Sequence, residues 1–295
     1  MASVQDIKRR IRSVRNTRKI TRAMELVAAA KLRRAQARIE AMRPYADRMT
    51  ELMAGTARAS TSLRQFPLLQ RRDVGTALVI PLTGDRGLAG AFNAQVLREA
   101  FAGEKRLRAE GVEVRFGVSG KKGASTLRFR RYEVERAWTG FSDRPEYHDA
   151  QAIAHHAAEL YADGEVDSVR IVYNHFESPL VQRVVEQEIL PIPEQLLEGG
   201  DDRDAAMSGD FIYEPEPEEI LARLLPVYVE TELFRALLES AASEQGARMT
   251  AMRNASKNAA ELIESLTLRM NRARQAEITQ EILEVVAGAD ALTQT

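Results

Sequence analysis

The sequence predicts an α/β protein in which a long N-terminal helix and a long C-terminal helix form an antiparallel coiled coil beside a domain with a mostly parallel sheet. Apolar residues recur at helical spacing near both ends of the chain, and strand and helix patterns alternate between them. The predicted boundaries are 1–58 for the N-terminal helix, 73–198 for the α/β domain, 199–217 for an acidic loop and return strand, and 218–292 for the C-terminal helix.

The N-terminal segment carries a helical repeat of apolar residues, and neither glycine nor proline occurs before Pro44. The positions, mostly three or four residues apart, are Val4, Ile7, Ile11, Val14, Ala28, Leu32, Ala35, Ile39, Met42, Ala46, Met49 and Met53. This spacing is typical of a narrow stripe along a helix that packs against one partner helix. The proline removes one backbone donor, so we expect it to bend the helix without ending it.

The C-terminal segment shows the same repeat in two stretches. The first contains Ile220, Leu224, Val227, Thr231, Phe234, Leu238 and Ala241, and the second contains Met252, Ser256, Ala259, Ile263, Leu266, Met270 and Ala273. Both stripes are narrow and contain many small residues, so we expect the two terminal helices to pack on each other as a slender pair rather than to enter a globular core. Two separate helical bundles are the alternative.

The middle of the chain alternates strand and helix patterns. The predicted strands are TALVIPL, VEVRFGV, RYEVERAW, SVRIVYN and VQRVVEQEIL. The predicted helices are AFNAQVLREAFAGEKRLRAE and EYHDAQAIAHHAAELYADG. This order favours a layered α/β structure with a mostly parallel sheet.

Composition excludes several classes of function and indicates more than one partner. The 295 residues contain no cysteine, which excludes disulfides, thiolate catalysis and cysteine-ligated metals. The formal net charge of −1 conceals two opposite blocks: residues 1–48 hold 14 Lys/Arg and 4 Asp/Glu, whereas residues 184–244 hold 3 Lys/Arg and 16 Asp/Glu. Opposite blocks in one chain favour different partners for different parts of it.

The glycine-rich stretch TGDRGLAGAFN, residues 83–93, follows the first predicted strand and resembles the start of a nucleotide site. Its glycines are spaced G-x-x-G-x-x-G, whereas a dinucleotide fingerprint requires G-x-G-x-x-G. No window fits the phosphate-binding pattern G-x-x-x-x-G-K-[ST] either. We therefore interpret the stretch as a structural turn.

Residues for catalysis or metal binding are not arranged in any known pattern. The histidines at 148, 155, 156 and 175 form no i, i+4 pair and no HExxH pattern, so we expect surface or helix-capping roles for them. No serine lies in a G-x-S-x-G elbow. We predict no catalytic residue, no metal and no cofactor, although a small-molecule enzyme that uses the α/β domain stays open as an alternative.

The basic stretch KRRIRSVRNTRK could follow the phosphates of a nucleic acid. Aromatic residues for base stacking are absent before Pro44, which favours an acidic protein partner. A basic coiled-coil protein that binds nucleic acid is the alternative.

Four stretches resemble the gamma subunit of F-type ATP synthases of the bacterial type. They are IKRRIRSVRNTRKITRAMELVAAAKLRRAQ near the start, GDRGLAGAFN in the middle domain, YEPEPEE at the return into the C-terminal helix, and SEQGARMTAMRNASKNAAELIESLTLRMNRARQAEITQEILEVVAGADAL near the end. The resemblance spans essentially the whole chain in order, and it implies that the α/β domain is Rossmann-like.

The resemblance implies a central-stalk rotor that performs no catalysis itself. In that family the coiled coil is a shaft inside a hexamer of alternating alpha and beta subunits, and ATP is made on the beta subunits. The α/β domain lies beside the epsilon subunit and on the ring of c subunits, whose proton-driven rotation turns the shaft. The implied partners are therefore alpha, beta, epsilon and the c ring, with one copy per complex and no nucleic acid, on the cytoplasmic side of the inner membrane as a peripheral protein.

The resemblance also assigns contact residues. RQAEITQE places Arg274, Gln275, Thr279 and Glu281 where the family's gamma subunit engages beta-subunit loops, and ITRAMELVAAAK does the same for Arg22 and Met24. YEPEPEE places Tyr213 and Glu214 at the foot that meets the c ring. Arg22 stands where the family has lysine, which keeps the charge and alters the geometry. The absence of cysteine implies that the redox control of plastid members is missing.

Overall fold

The computed structural model describes residues 4–60, 63–178, 181–193 and 215–293. Its α-helices are α1 (Val4–Ala59), α2 (Phe92–Ala109), α3 (Lys121–Phe129), α4 (Tyr147–Ala162) and α5 (Pro217–Thr293), and two short 3-10 helices cover Leu63–Gln65 and Pro67–Leu69. Its strands are β1 (Thr76–Pro81), β2 (Glu113–Ser119), β3 (Val134–Trp138), β4 (Ser168–Phe176) and β5 (Gln182–Leu190).

The chain divides into two compact units, and both long helices contribute to both. The helix-pair unit comprises Met1–Val27 and Met249–Thr295, and the sheet unit comprises Ala28–Arg248. Within the described residues, no helix combines the length and the apolar character that crossing a membrane requires.

The sheet unit contains one sheet, which among the described residues has the strand order β3-β2-β1-β4-β5. The pairs β3–β2, β2–β1 and β1–β4 are parallel, and β5 lies antiparallel to β4 at one edge. The prediction of a mostly parallel sheet in an α/β fold with two long terminal helices is therefore confirmed.

Both faces of the sheet are covered, which explains why β1 is apolar at almost every position. On one face, α2 and α3 pack in a core that includes Val79 and Phe116. On the other face, α4 and parts of α1 and α5 share a core that includes Ile80, Met53 and Leu233. Neighbouring residues of β1 thus point into different cores, as the pleat of a strand requires.

Two details of the predicted middle segment are wrong. The sequence predicts no helix between the second and third strands, whereas residues 121–129 form α3. The strand predicted at 131–138 begins only at Val134, because the chain first closes α3 with Arg131 in the left-handed region at φ 63° and with a hydrogen bond from Tyr132 N to Leu127 O at 3.0 Å. The first residues of the predicted strand therefore belong to the turn that ends α3.

The expectation that each long helix buries only a narrow stripe is also wrong for the first part of α5. In the sheet unit, α5 buries Leu221, Leu225, Val229, Leu233 and Leu237 in the core that α4 and the sheet share. From residue 236 to 246 every α5 side chain is buried. A helix that is covered on several sides belongs to a globular core.

In the helix-pair unit, the early part of α1 and the later part of α5 run antiparallel. Thr21 pairs with Ser256 and Glu25 pairs with Arg253, so the residue numbers rise on one helix as they fall on the other. Small and medium apolar side chains, Ile7, Ile11, Met252 and Ala259, are buried between them. The helix α1 continues through Pro44, as expected.

Candidate functional site

The contact between the two helices of the helix-pair unit includes a polar pair beside its small apolar residues. The Thr21 hydroxyl lies 2.7 Å from the Ser256 hydroxyl. It also donates to the carbonyl of Arg18 at 3.1 Å, so it can accept the proton of Ser256. Short side chains of this kind let two helices approach closely while their polar atoms stay satisfied.

A buried carboxylate lies one turn further along α1. Glu25, whose side chain is 7% exposed, accepts a hydrogen bond from Arg253 Nε at 3.0 Å and another from Arg22 Nη1 at 2.9 Å. The hydrogen bond from Arg253 lowers the pKa of Glu25 from its ordinary value, although burial opposes the shift. Glu25 therefore stays ionised and links the two helices.

A basic groove runs along the helix-pair unit. Its charged lining consists of Lys8, Arg12, Arg15, Arg18, Lys19, Arg22, Arg253 and Lys257, and its apolar lining includes Ile11, Leu26, Ala260, Ile263 and Met270. Among the described residues that line it there is no aspartate or glutamate. Such a surface attracts an acidic partner and gives association that weakens with salt.

The predicted beta-subunit contacts fall in two separate places on this unit. Arg22 is largely exposed and hydrogen-bonded to Glu25, and Met24 beside it is half-buried. Because Thr21 faces Ser256, Arg274 lies 18 residues further along α5, or about 27 Å at the rise of an α-helix. The structure therefore does not bring the two groups together.

The second group lies on an exposed stretch of α5. Arg274, Gln275, Thr279 and Glu281 are all exposed. The Thr279 hydroxyl donates to the carbonyl of Gln275 at 2.9 Å, within the helix. The other two predicted contacts, Tyr213 and Glu214, lie outside the described residues.

The end of α5 exposes a group of apolar residues that the sequence reading did not single out. Thr21 faces Ser256, so Val4, 17 residues earlier on α1, comes level with about residue 273 of α5. Beyond that level, all side chains from 274 to 287 are exposed. The large apolar ones are Ile278, Ile282, Leu283, Val285 and Val286, between 46% and 72% exposed. The sequence does contain a signal for this group, because apolar residues continue at helical spacing on α5 beyond the level at which α1 begins.

The glycine-rich turn of the sheet unit contacts α5. A Cβ atom at Gly84 would lie 2.9 Å from the carboxylate of Glu244, and Gly90 adopts a left-handed φ of 56°. The interpretation of residues 83–93 as a structural turn accounts for both glycines without a phosphate.

The histidines have more specific surroundings than the surface and capping roles that we expected. His155 on α4 pairs with Glu230 at 2.8 Å, and His175 on β4 pairs with Glu239 at 2.6 Å, so both link the sheet unit's core elements to α5. Within the described ranges, no group of three His, Asp or Glu side chains could hold a metal ion.

Comparison with known proteins gives full-length matches. A family model described as ATP synthase matches residues 3–292. The ATP synthase gamma chain of Rubrobacter xylanophilus is 48% identical over 99% of both chains, and that of Moorella thermoacetica is 47% identical over 99% of this chain and 100% of the relative.

Solved structures give the same picture at lower identity. A chain from the central stalk and c ring of the Tetrahymena thermophila mitochondrial ATP synthase is 28% identical, with a TM-score of 0.59, and the match covers 80% of this chain and 99% of that one. A chain from the Euglena gracilis mitochondrial ATP synthase has a TM-score of 0.69 at 17% identity over 98% of this chain and 94% of that one, a likeness of fold.

Proposed function

This chain belongs to the ATP synthase gamma chain family and is a central-stalk subunit, and we propose that it is the rotor shaft through which rotation of a c ring drives ATP synthesis on beta subunits. One observation of the structure supports this proposal above the others. The side chains at 274–287 of α5 are all exposed, several of them are large and apolar, and they lie beyond the level of the described start of α1. Apolar surface of this kind marks a protein interface.

In this proposal the exposed end of α5 lies inside a hexamer of alpha and beta subunits. Arg274, Gln275, Thr279 and Glu281 contact beta-subunit loops, and Arg22 with Met24 makes a second contact about 27 Å lower along the helix pair. A shaft can change the state of a beta subunit only if it contacts the open and closed states differently. An asymmetric pair of helices supplies this difference as it turns.

The charge of the helix-pair unit supports an acidic partner surface on the beta subunits. The basic groove carries eight cationic side chains, and Glu25 is already occupied by two of them. The remaining cations can contact acidic loops as they pass, and exposed pairs of this kind contribute about 0–1 kcal/mol each. Weak individual contacts suit a shaft that must slide past several subunits. The nucleic-acid alternative gains no support from the relatives.

The remaining partners follow from the family. The sheet unit contacts an epsilon subunit and the c ring, with Tyr213 and Glu214 at the c-ring foot, and one copy of the chain serves each complex. The protein is peripheral, on the cytoplasmic side of the inner membrane, and it carries no catalytic residue or cofactor of its own.

Substitution of the exposed α5 residues tests the contact assignment. We expect Gln275→Ala and Glu281→Ala to lower ATP turnover of the assembled complex while the unfolding midpoint of the free subunit stays unchanged, because both side chains are exposed. Glu110→Ala, at an exposed position after α2, is the matched control and should leave turnover unchanged. Normal turnover of both variants would contradict the assignment.

A further inference from the structure

The crevice in which a doubly wound sheet would bind a ligand is filled by the chain's own C-terminal helix. Such crevices lie at the carboxyl ends of the strands where the strand order reverses, here between β1 and β4. The buried Ser240 hydroxyl donates to the carbonyl of Leu82 after β1 at 3.4 Å, and the buried Ser243 hydroxyl donates to the carbonyl of Asn174 on β4 at 3.1 Å. Residues of α5 thus occupy the ligand position.

The glycine-rich turn fits closely around a buried carboxylate of α5. Glu244 is 1% exposed and lies against Gly84, where a Cβ atom would come within 2.9 Å of its carboxylate. Arg248 donates to Glu244 at 2.5 Å and to the carbonyl of Gly87 at 3.3 Å. Burial raises the pKa of Glu244 against the opposing effect of Arg248.

A second loop, residues 139–146, is held in place by Asp85 of the same turn. The Asp85 carboxylate accepts hydrogen bonds from the backbone N–H groups of Gly140 at 2.9 Å and Ser142 at 3.1 Å. It also accepts one from Lys121 N at 3.0 Å, at the start of α3. Asp85 therefore joins the two loops and the start of α3 in one hydrogen-bond network.

The second loop contacts both long helices through one side chain. Asp143 accepts a hydrogen bond from Gln245 Nε2 on α5 at 2.6 Å, and its other carboxylate oxygen pairs with Lys31 Nζ on α1. Arg38 of α1 donates to the carbonyl of Pro145 at 2.5 Å. Within the sheet unit, which comprises Ala28–Arg248, these contacts lie near the end of its α5 part and near the start of its α1 part.

We propose that these loops are a collar that fixes the rotational position of both long helices in the sheet unit, and that rotation passes to the helices here. The collar residues are Gly84, Asp85, Gly87 and Asp143, and their partners on the helices are Lys31, Glu244, Gln245 and Arg248. The inference rests on the proposed rotor function and adds the place where the sheet unit holds the shaft.

The chemistry of the collar suits this role better than a role in stability alone. Apolar burial is not directional, so the core around Leu225 and Leu233 holds α5 on the sheet but leaves small rotations of the helix about its axis less strictly defined. Hydrogen bonds depend on direction, and a carboxylate lodged against a glycine allows one orientation. Buried ion pairs stabilise a fold little compared with apolar residues of the same size, which leaves a fixed orientation as their contribution here.

Two collar variants and one control test the proposal in the complete complex, reconstituted into vesicles. Asp143→Ala removes the contact that joins both helices, and Glu244→Gln keeps the shape of the side chain while it removes the charge paired with Arg248. Leu225→Val trims one buried methylene of the apolar core and touches no hydrogen bond. The measurements are the unfolding midpoint of the subunit, ATP hydrolysis, and proton transport per ATP hydrolysed.

We expect both collar variants to keep ATP hydrolysis, because the catalytic subunits contact the shaft and not the collar, and to lower the number of protons transported per ATP hydrolysed, because part of the rotation is lost where the loops hold the helices. Leu225→Val should leave the number of protons transported per ATP unchanged, even where it lowers the unfolding midpoint as much as the collar variants do. The collar proposal would be wrong if protons transported per ATP fell equally in the control and in the collar variants. It would also be wrong if this ratio were unchanged in both collar variants. Failure of the unaltered chain to assemble with the catalytic subunits would instead overturn the rotor function.

Discussion

Glu25 on α1 and Arg253 on α5 are joined by a hydrogen bond of 3.0 Å, and the carboxylate that receives it is almost completely buried. Arg253 is 59% exposed, so only the carboxylate of the pair is buried, and that carboxylate depends on its arginine donors to stay ionised. The pair lies one turn from the hydrogen bond between Thr21 and Ser256. Together these contacts set the register of the helix pair.

We expect Glu25→Gln to lower the free energy of unfolding by about 1 kcal/mol at neutral pH, because both arginine partners are largely exposed and solvent screens them. The pKa of Glu25 is lowered in the folded protein, so its contribution is present above the ordinary pKa of glutamate and is lost as the pH falls through the lowered value. Denaturant unfolding followed by circular dichroism between neutral and acidic pH measures both effects. Glu40→Gln, at an exposed position of α1, is the control and should leave the pH dependence of the free energy of unfolding unchanged. If Glu25→Gln also kept the pH dependence of the unaltered chain, the role of the pair would be contradicted.

The close approach of the two helices depends on small residues at their contact. Ala259 on α5 is 8% exposed in the helix-pair unit. We expect Ala259→Leu to destabilise the protein by about 1–3 kcal/mol, because the larger side chain must separate the helices or adopt a strained rotamer. Ala276→Leu, at an exposed position of the same helix, should change thermal stability little. Equal stability of the two variants would show that the helices are not closely packed at Ala259.

The apolar end of α5 gives the opposite expectation. Leu283 and Val285 are 62% and 72% exposed, so Leu283→Gln and Val285→Gln should change the free energy of unfolding of the isolated subunit by less than about 0.5 kcal/mol. Assembly with alpha and beta subunits should weaken, because the complex would bury a polar amide in place of an apolar group. Phe129→Gln, 87% exposed in the sheet unit, is the control and should assemble normally. Assembly is measured by titration of each variant into the catalytic subunits. Unchanged affinity of both α5 variants would contradict the proposal that the end of α5 lies inside the hexamer.

Tyr147 makes stability sensitive to alkaline pH. Its hydroxyl donates to Glu230 at 2.7 Å. Burial is the main cause that raises the pKa of Tyr147, and the hydrogen bond to the Glu230 carboxylate is the second. Above the ordinary tyrosine pKa of about 10, the unfolded chain releases the proton while the folded chain keeps it, so the free energy of unfolding falls as the pH rises. Tyr147→Phe should reduce that fall, because it removes the hydroxyl that Glu230 holds protonated. Unfolding curves at several pH values above neutrality measure the difference, and identical slopes for Tyr147→Phe and the unaltered chain would contradict it.

The fold was predictable from the sequence where one periodicity dominated a long segment. The apolar run of β1 and the long repeats of α1 and α5 correspond to elements of the structure. The sequence did not predict α3, because its nine residues follow Gly120 and begin with two lysines and a glycine, a composition that resembles a loop. It also underestimated the burial of α5 between 221 and 246, since Glu230, Glu239 and Glu244 on that helix look solvated until their neighbours His155, His175 and Gly84 on distant elements are known.

The contact residues of the candidate site stay a prediction from the sequence. Exposure of residues 274–281 agrees with a surface role, but no arrangement of their side chains within this chain assigns the contact to a beta subunit. The collar escaped notice because it depends on a contact between Gly84 and Glu244, which are 160 residues apart. Such a contact leaves no periodic signal in one sequence.

Rotation of the sheet unit is the most direct test of the central claim. Because the chain has no cysteine, Lys105→Cys on the exposed side of α2 provides a single attachment point for an optical probe. With the catalytic subunits fixed to a surface, the account predicts continuous rotation of the probe in one direction when ATP is added, and arrest when ATP is exhausted. Steady ATP hydrolysis with a probe that does not rotate would contradict the account.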